Sequence, residues 1–143
     1  MNPIPALWRI LWPLPCSAVG LVLGLPLLAL GGSVRRVGPT LEIALRARQY
    51  ELPRWVHRLR FGGITFGHVI LGQSHELLAV LRAHERVHVR QYERLGIFFF
   101  VAYPLASLVS WWRGQGAHAG NRFERQAVAQ SAPDSDQARS RST

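Results

Sequence analysis

Ser74-His75-Glu76-Leu77-Leu78-Ala79-Val80-Leu81-Arg82-Ala83-His84-Glu85-Arg86-Val87-His88-Val89-Arg90-Gln91-Tyr92-Glu93-Arg94-Leu95-Gly96 is the stretch that decides how this chain folds. Ser74 suits an N-cap, Glu76 places a carboxylate in the positive first turn, and Gly96 supplies a stop. The expectation is one helix from the Ser74 cap to Leu95. At about 100° per residue, Leu77, Val80, Leu81, His84, His88, Gln91 and Leu95 share a stripe, while Arg82, Arg86 and Glu93 lie opposite. Both histidines are therefore expected on the buried side.

Histidines at i and i+4 project from adjacent turns of one helical face, so both imidazoles reach a single metal ion at a Zn–N distance of about 2.0–2.1 Å. Glu85 directly follows the first histidine, a position from which a carboxylate takes a proton from an attacking water as general base. A chain of this composition produces an HExxH by chance in roughly 1% of cases, so the motif needs support from its context. It sits on the apolar face of an amphipathic helix, behind a candidate strand that can line one rim of a cleft. A third ligand also follows, because Glu124 in Asn121-Arg122-Phe123-Glu124-Arg125-Gln126-Ala127 opens a later helix. It would complete a His₂Glu site with one coordination position free. A competing reading has Asn121 and Glu124 form a capping box, with the carboxylate spent on a backbone N–H.

His84-Glu85-Arg86-Val87-His88-Val89-Arg90-Gln91-Tyr92 followed by the Asn121–Ala127 segment resembles zincin-type metallopeptidases of the gluzincin kind. It looks like small bacterial minimal-gluzincin membrane proteins carrying HExxHxxQ and a downstream N-x-x-E-x-x-A. The likeness covers about residues 62 to 128. It implies Zn2+ as cofactor, His84, His88 and Glu124 as metal ligands, and Glu85 as the catalytic residue. No tyrosine or histidine of the family's oxyanion-steadying kind can be matched by motif, which leaves His118, Tyr103 and Tyr92 as candidates.

Working outward, Thr40 to Arg46 alternates Leu41, Ile43 and Leu45 against polar residues, and Ile64 to Leu71 lies between glycines; both read as strands. Gln49 to Arg60 is polar, rich in arginine and broken by Pro53, and reads as a loop or short helix. From Ile10 to Gly32 no residue is charged, which meets the roughly 20-residue length of a transmembrane helix. No small-residue cleavage site follows it, so a retained anchor is expected in preference to a cleaved signal. The arginines that follow, beginning with Arg35 and Arg36, place the central region on the cytoplasmic side of a bacterial inner membrane by the positive-inside rule. The expected organisation is an anchor over 1–34, a zincin-like core over 35–128 and a disordered tail over 129–143. The fold class is α+β: a few-stranded sheet, the HExxH helix, an apolar helical hairpin and a Glu-bearing helix.

The hairpin follows from a topological condition. If Ile97 to Trp112 crossed a bilayer, about 30 Å of hydrocarbon would separate His88 from Glu124, and they could not share an ion. The run is short and holds Pro104, so two helical arms turning near that proline are expected, buried in the core or re-entrant in one leaflet.

Composition bounds the rest. The chain of 143 residues allows one domain, and its 17 basic residues, all arginine, against eight acidic ones give a net charge of +9. Guanidinium groups suit anionic lipid headgroups and nucleic acid alike, but no nucleic-acid reading motif is present, which disfavours that partner. Cys16 is alone, so disulfide frameworks and cysteine zinc ribbons are excluded. His57, His68 and His75 read as ordinary loop, strand and cap residues, and Arg82, Arg86 and Arg90 as a solvated or lipid-facing stripe. The expected partners are a lipid bilayer and a peptide or protein substrate. Two functions remain open at this stage: a membrane-associated zinc-dependent peptidase, or a non-catalytic membrane protein using the same core as a structural or binding module.

Overall fold

Alternation along two central strands organises the molecule. A computed structural model describes residues 6–47, 51, 53–58 and 62–132. In it, β1 (Gly32–Val37), β2 (Thr40–Leu45), β3 (Gly63–Phe66) and β4 (Val69–Ser74) form a mixed sheet of order β1-β2-β4-β3. β2 and β4 run parallel at its centre, and β1 and β3 flank them antiparallel. Ile43, Val69 and Leu71 point to one face, where they meet Leu27, Leu28 and Phe66. Ala44 and Ile70 point to the other, against Leu78 and Val89. The period-two pleat thus feeds two apolar cores, one under each face.

The first face is covered by α2 (Leu14–Ala29), which follows the short α1 (Ala6–Leu11). Helix α2 lies on the sheet through Cys16, Ser17, Gly20 and Gly24, all buried. A Cβ at Gly20 would stand 2.8 Å from Phe66 Cβ, and one at Gly24 would stand 2.6 Å from Ile43 Cδ1. Its small residues therefore mark the side facing the strands, while Leu21, Val22, Leu25 and Leu30 face outward. The helix expected within the uncharged run from Ile10 to Gly32 ends at Ala29. Gly31, at φ +87°, turns the chain into β1, a strand the sequence reading did not anticipate.

The opposite face is covered by α4 (His75–Leu95). Its ends fall where the caps place them: Ser74 Oγ accepts from Leu77 N at 3.2 Å, and Gly96 closes the helix at φ +54°. The face turned inward is rotated from the expected stripe. Leu78 and Tyr92 are buried, whereas Val80 is 79% exposed. Arg82 and Glu93, expected in solvent, are engaged. Arg82 donates to the buried Glu42 carboxylate through Nε at 2.9 Å and Nη2 at 3.2 Å, and Glu93 accepts from Arg9 on α1 at 2.6 Å.

Two further expectations change. The strand expected over Ile64 to Leu71 is a hairpin, because Gly67 takes φ +60° and folds β3 back onto β4 with Phe66 opposite Val69. The arms expected to turn at Pro104 are one uninterrupted helix, α5 (Phe99–Trp112), entered through a 3-10 turn over Gly96–Phe98. The chain returns later, at Gly114 and Gly116, both with positive φ. Ser110 Oγ donates to Gly116 O, and buried Asn121 donates to Tyr103 O and Ser107 Oγ, so the 113–120 segment folds back along α5. Much of α5 is exposed rather than buried, including Val101, Leu105, Leu108, Trp111 and Trp112.

The last helix, α6 (Arg122–Ser131), packs on α4 and runs past the point where the tail was expected to begin. The short α3 (Arg54–Arg58) falls within the segment read as loop or short helix; residues 48–50, 52 and 59–61 of that region, and 133–143 of the tail, lie outside the described residues. The chain is a mixed α+β fold. Two of its helical runs, Ala6–Ala29 and His75–Trp112, are apolar and long enough to cross a membrane by length and composition.

Candidate metal centre

His84 and His88 stand one turn apart on α4 with ring centroids 4.9 Å apart, and their Nε2 atoms approach to 3.2 Å. Helix α6 brings Glu124 against both. Its Oε2 lies 3.2 Å from His84 Nε2, and its Oε1 lies 3.3 Å from His88 Nε2. The three residues form a group that can hold a metal ion.

His88 and Glu124 are each held by a further side chain. The ring Nδ1 of His88 lies 2.8 Å from Gln91 Oε1; an amide oxygen can only accept, so Nδ1 carries a proton and Nε2 is the ring nitrogen turned to the site. Gln91 is fixed in turn by donating Nε2 to Phe123 O at 3.1 Å and to Gln126 Oε1 at 3.0 Å, which ties α4 to the helix carrying Glu124. Asn121 caps α6, accepting from Phe123 N at 2.9 Å. Glu124 does not close the capping box; its Oε1 accepts from the Tyr103 hydroxyl at 2.5 Å.

Electrostatics favour a cation at this point. Glu124 Oε2 is buried and has no hydrogen-bond donor, although it faces two imidazole nitrogens. Burial pushes the Glu124 carboxyl upward, but the adjoining His88 ring, the Tyr103 hydroxyl and the charge of His118 outweigh it and hold the group at about 2. An ionised, buried carboxylate with an unused lone pair beside the Nε2 atoms of His84 and His88 is a donor set that suits a divalent ion.

Glu85 lines the same cleft, about 820 Å³ in volume, between β3 and α5. Its Oε2 accepts from Thr65 Oγ1 on the edge strand at 2.7 Å, and both residues are buried. Neighbouring Gly63 leaves room for the other oxygen, since a Cβ there would lie 2.7 Å from Glu85 Oε1. Of the three oxyanion candidates, Tyr103 and His118 meet at Glu124: the Tyr103 hydroxyl is 3.3 Å from His118 Nδ1, and His118 Nε2 is 3.5 Å from Glu124 Oε2. Tyr92 instead packs into an apolar cluster, 4.4 Å from the Phe99 ring. His68 and His75 lie elsewhere, His68 against Glu93 and His75 against Ser33.

Sequence reasoning missed Thr65 and the work of Gln91. Thr65 alternates with Ile64 and Phe66, so the pleat alone turned it away from them; nothing local showed that α4 would set Glu85 beside it. No protein-family model, curated protein or solved structure matches this chain.

Proposed function

We propose that the protein is a membrane-associated zinc-dependent hydrolase of gluzincin type, acting on peptide bonds. The observation that carries this reading is the cluster of His84 Nε2, His88 Nε2 and the Glu124 carboxylate: the two nitrogens lie 3.2 Å apart, Oε2 lies 3.2 Å from His84 and Oε1 lies 3.3 Å from His88. Tetrahedral ligands at zinc bond lengths of about 2.0–2.1 Å lie about 3.3 Å from one another. The contacts are of the size that a divalent ion such as zinc would need, and Glu124 Oε2 has no hydrogen-bond donor. The hydrophobic cleft beside them and the apolar helices around it support a substrate met at a membrane, with the arginine excess favouring its cytoplasmic side.

His84, His88 and Glu124 would hold the zinc, which supplies Lewis acidity to a substrate carbonyl and to a water. Glu85 takes the proton of the attacking water and passes it to the leaving amine. Thr65 holds one Glu85 oxygen, so the other is presented to the cleft. Tyr103 and His118 flank Glu124 and offer donors toward a carbonyl oxygen that gains charge.

Glu85→Gln tests the catalytic step. The variant retains zinc, while cleavage of a mixed fluorogenic peptide library falls by about 10²–10⁴-fold. Zinc-loaded wild type that cleaves nothing in the library, or Glu85→Gln that cleaves at the wild-type rate, would contradict a hydrolase and favour a structural or binding role.

A further inference from the structure

We infer that neither apolar helix crosses a bilayer: α1–α2 and α5 lie flat in a single leaflet of an anionic membrane, with the sheet and the cleft on the water side.

The packing of α2 carries the first half. Its buried side is pressed onto the strands along most of its length, from Ser17 beside the Gly67 turn to Leu27 beside Leu45. A spanning helix would draw that sheet into hydrocarbon with it. Among the described strands, β1 and β3 are open edges whose unpaired backbone groups cannot be satisfied by lipid, and β1 carries exposed Arg35 and Arg36. Only the outward face of α2, with Leu21, Val22, Leu25 and Leu30, is free to meet acyl chains.

The return loop carries the second half. Helix α5 ends in Trp111-Trp112-Arg113, and the exposed irregular segment that follows folds back along it to deliver Glu124 beside His88. If α5 plunged into the bilayer, that loop would lie in lipid with exposed Arg113, Gln115 and His118. Lying flat, α5 puts Val101, Leu105 and Leu108 into the leaflet and leaves the loop at the headgroups. The two surfaces join where Trp12 packs on Phe98 at 6.1 Å and stacks on Trp8 at 5.2 Å, aromatic residues of the kind that settle at a membrane interface. A net charge of +9 carried wholly by arginine is complementary to anionic headgroups. None of this depends on His84, His88 and Glu124 holding a metal.

Single cysteines in a Cys16→Ala background test the arrangement: Asn2→Cys before α1, Arg36→Cys after α2, Arg94→Cys before α5 and Arg113→Cys after it. Sealed membrane vesicles from producing cells are prepared in both orientations and treated with a membrane-impermeant maleimide. Zinc content, measured on the same preparations, reports separately on the metal centre. All four cysteines are expected to react in one orientation and to be silent in the other. A split between Asn2→Cys and Arg36→Cys, or between Arg94→Cys and Arg113→Cys, means a crossing and overturns the inference. Recovery of the protein outside the membrane fraction, or cysteines that react only after detergent, overturns it equally.

Discussion

Gln91 lies three residues beyond His88 and touches no predicted ligand atom directly involved in coordination, yet it sets the state of one. By accepting from His88 Nδ1 it fixes the tautomer, and by donating to Phe123 O it fixes the distance between the helices that carry the ligands. Outer partners of this kind typically change metal affinity by about 10–100-fold. Gln91→Ala is therefore expected to weaken zinc binding by that factor in a chelator competition, with little change in the far-UV spectrum; unchanged affinity would remove Gln91 from the centre. Thr65 plays the corresponding part for Glu85. A hydrogen bond to a charged group contributes about 1.5–3 kcal/mol, so Thr65→Val is expected to slow peptide cleavage roughly ten- to hundredfold at undiminished zinc content. Thr65→Ser restores the rate if the hydroxyl is what matters. A Thr65→Ser variant as slow as Thr65→Val would assign the loss to packing instead.

At the level of elements, legibility followed chemistry that is local. Helix α4 could be bounded from Ser74 and Gly96 because a cap is a short-range hydrogen bond, and β2 from its alternation. His84, Glu85 and His88 could be named because helical spacing fixes which side chains share a face, and Glu124 because a later helix offered a carboxylate at the place the motif resemblance implies. What was not legible depended on partners far along the chain. Arg82 reads as a surface residue until β2 sets Glu42 against it, and β1 hides behind two arginines that suggest a membrane flank. The rotation of α4 escaped periodicity because its inward face holds polar residues with tertiary partners, Glu85, Gln91 and Glu93 among them. In α2 the sidedness was not legible, since Leu, Val and Gly without charge read as one apolar run. Its glycines instead mark the side that meets the sheet. Gly20→Leu is accordingly expected to lower stability by about 1–3 kcal/mol through overpacking against Phe66 and Val69, read from urea unfolding in detergent. Val22→Leu, on the exposed face, should be close to neutral. Equal effects would mean that α2 does not pack through its glycines.

Across the whole molecule, one sheet separates two tasks. The side covered by α2 turns Leu21, Val22 and Leu25 outward, and the face under α4 supports the cleft and the candidate metal centre, with α5 and α6 closing it. The return of the chain at Gly114 and Gly116 reconciles an apolar run with a ligand on each side of it: α5 leads away from His88, and the folded-back segment brings Glu124 home. Metal content then tests the site most directly. Protein purified without chelators from zinc-supplied cells is expected to hold about one zinc per chain, and His84→Ala, His88→Ala and Glu124→Ala to hold less than about a tenth of that while remaining folded. Wild-type protein without zinc, or a Glu124→Ala variant that binds it as tightly as wild type, would contradict the three-ligand centre.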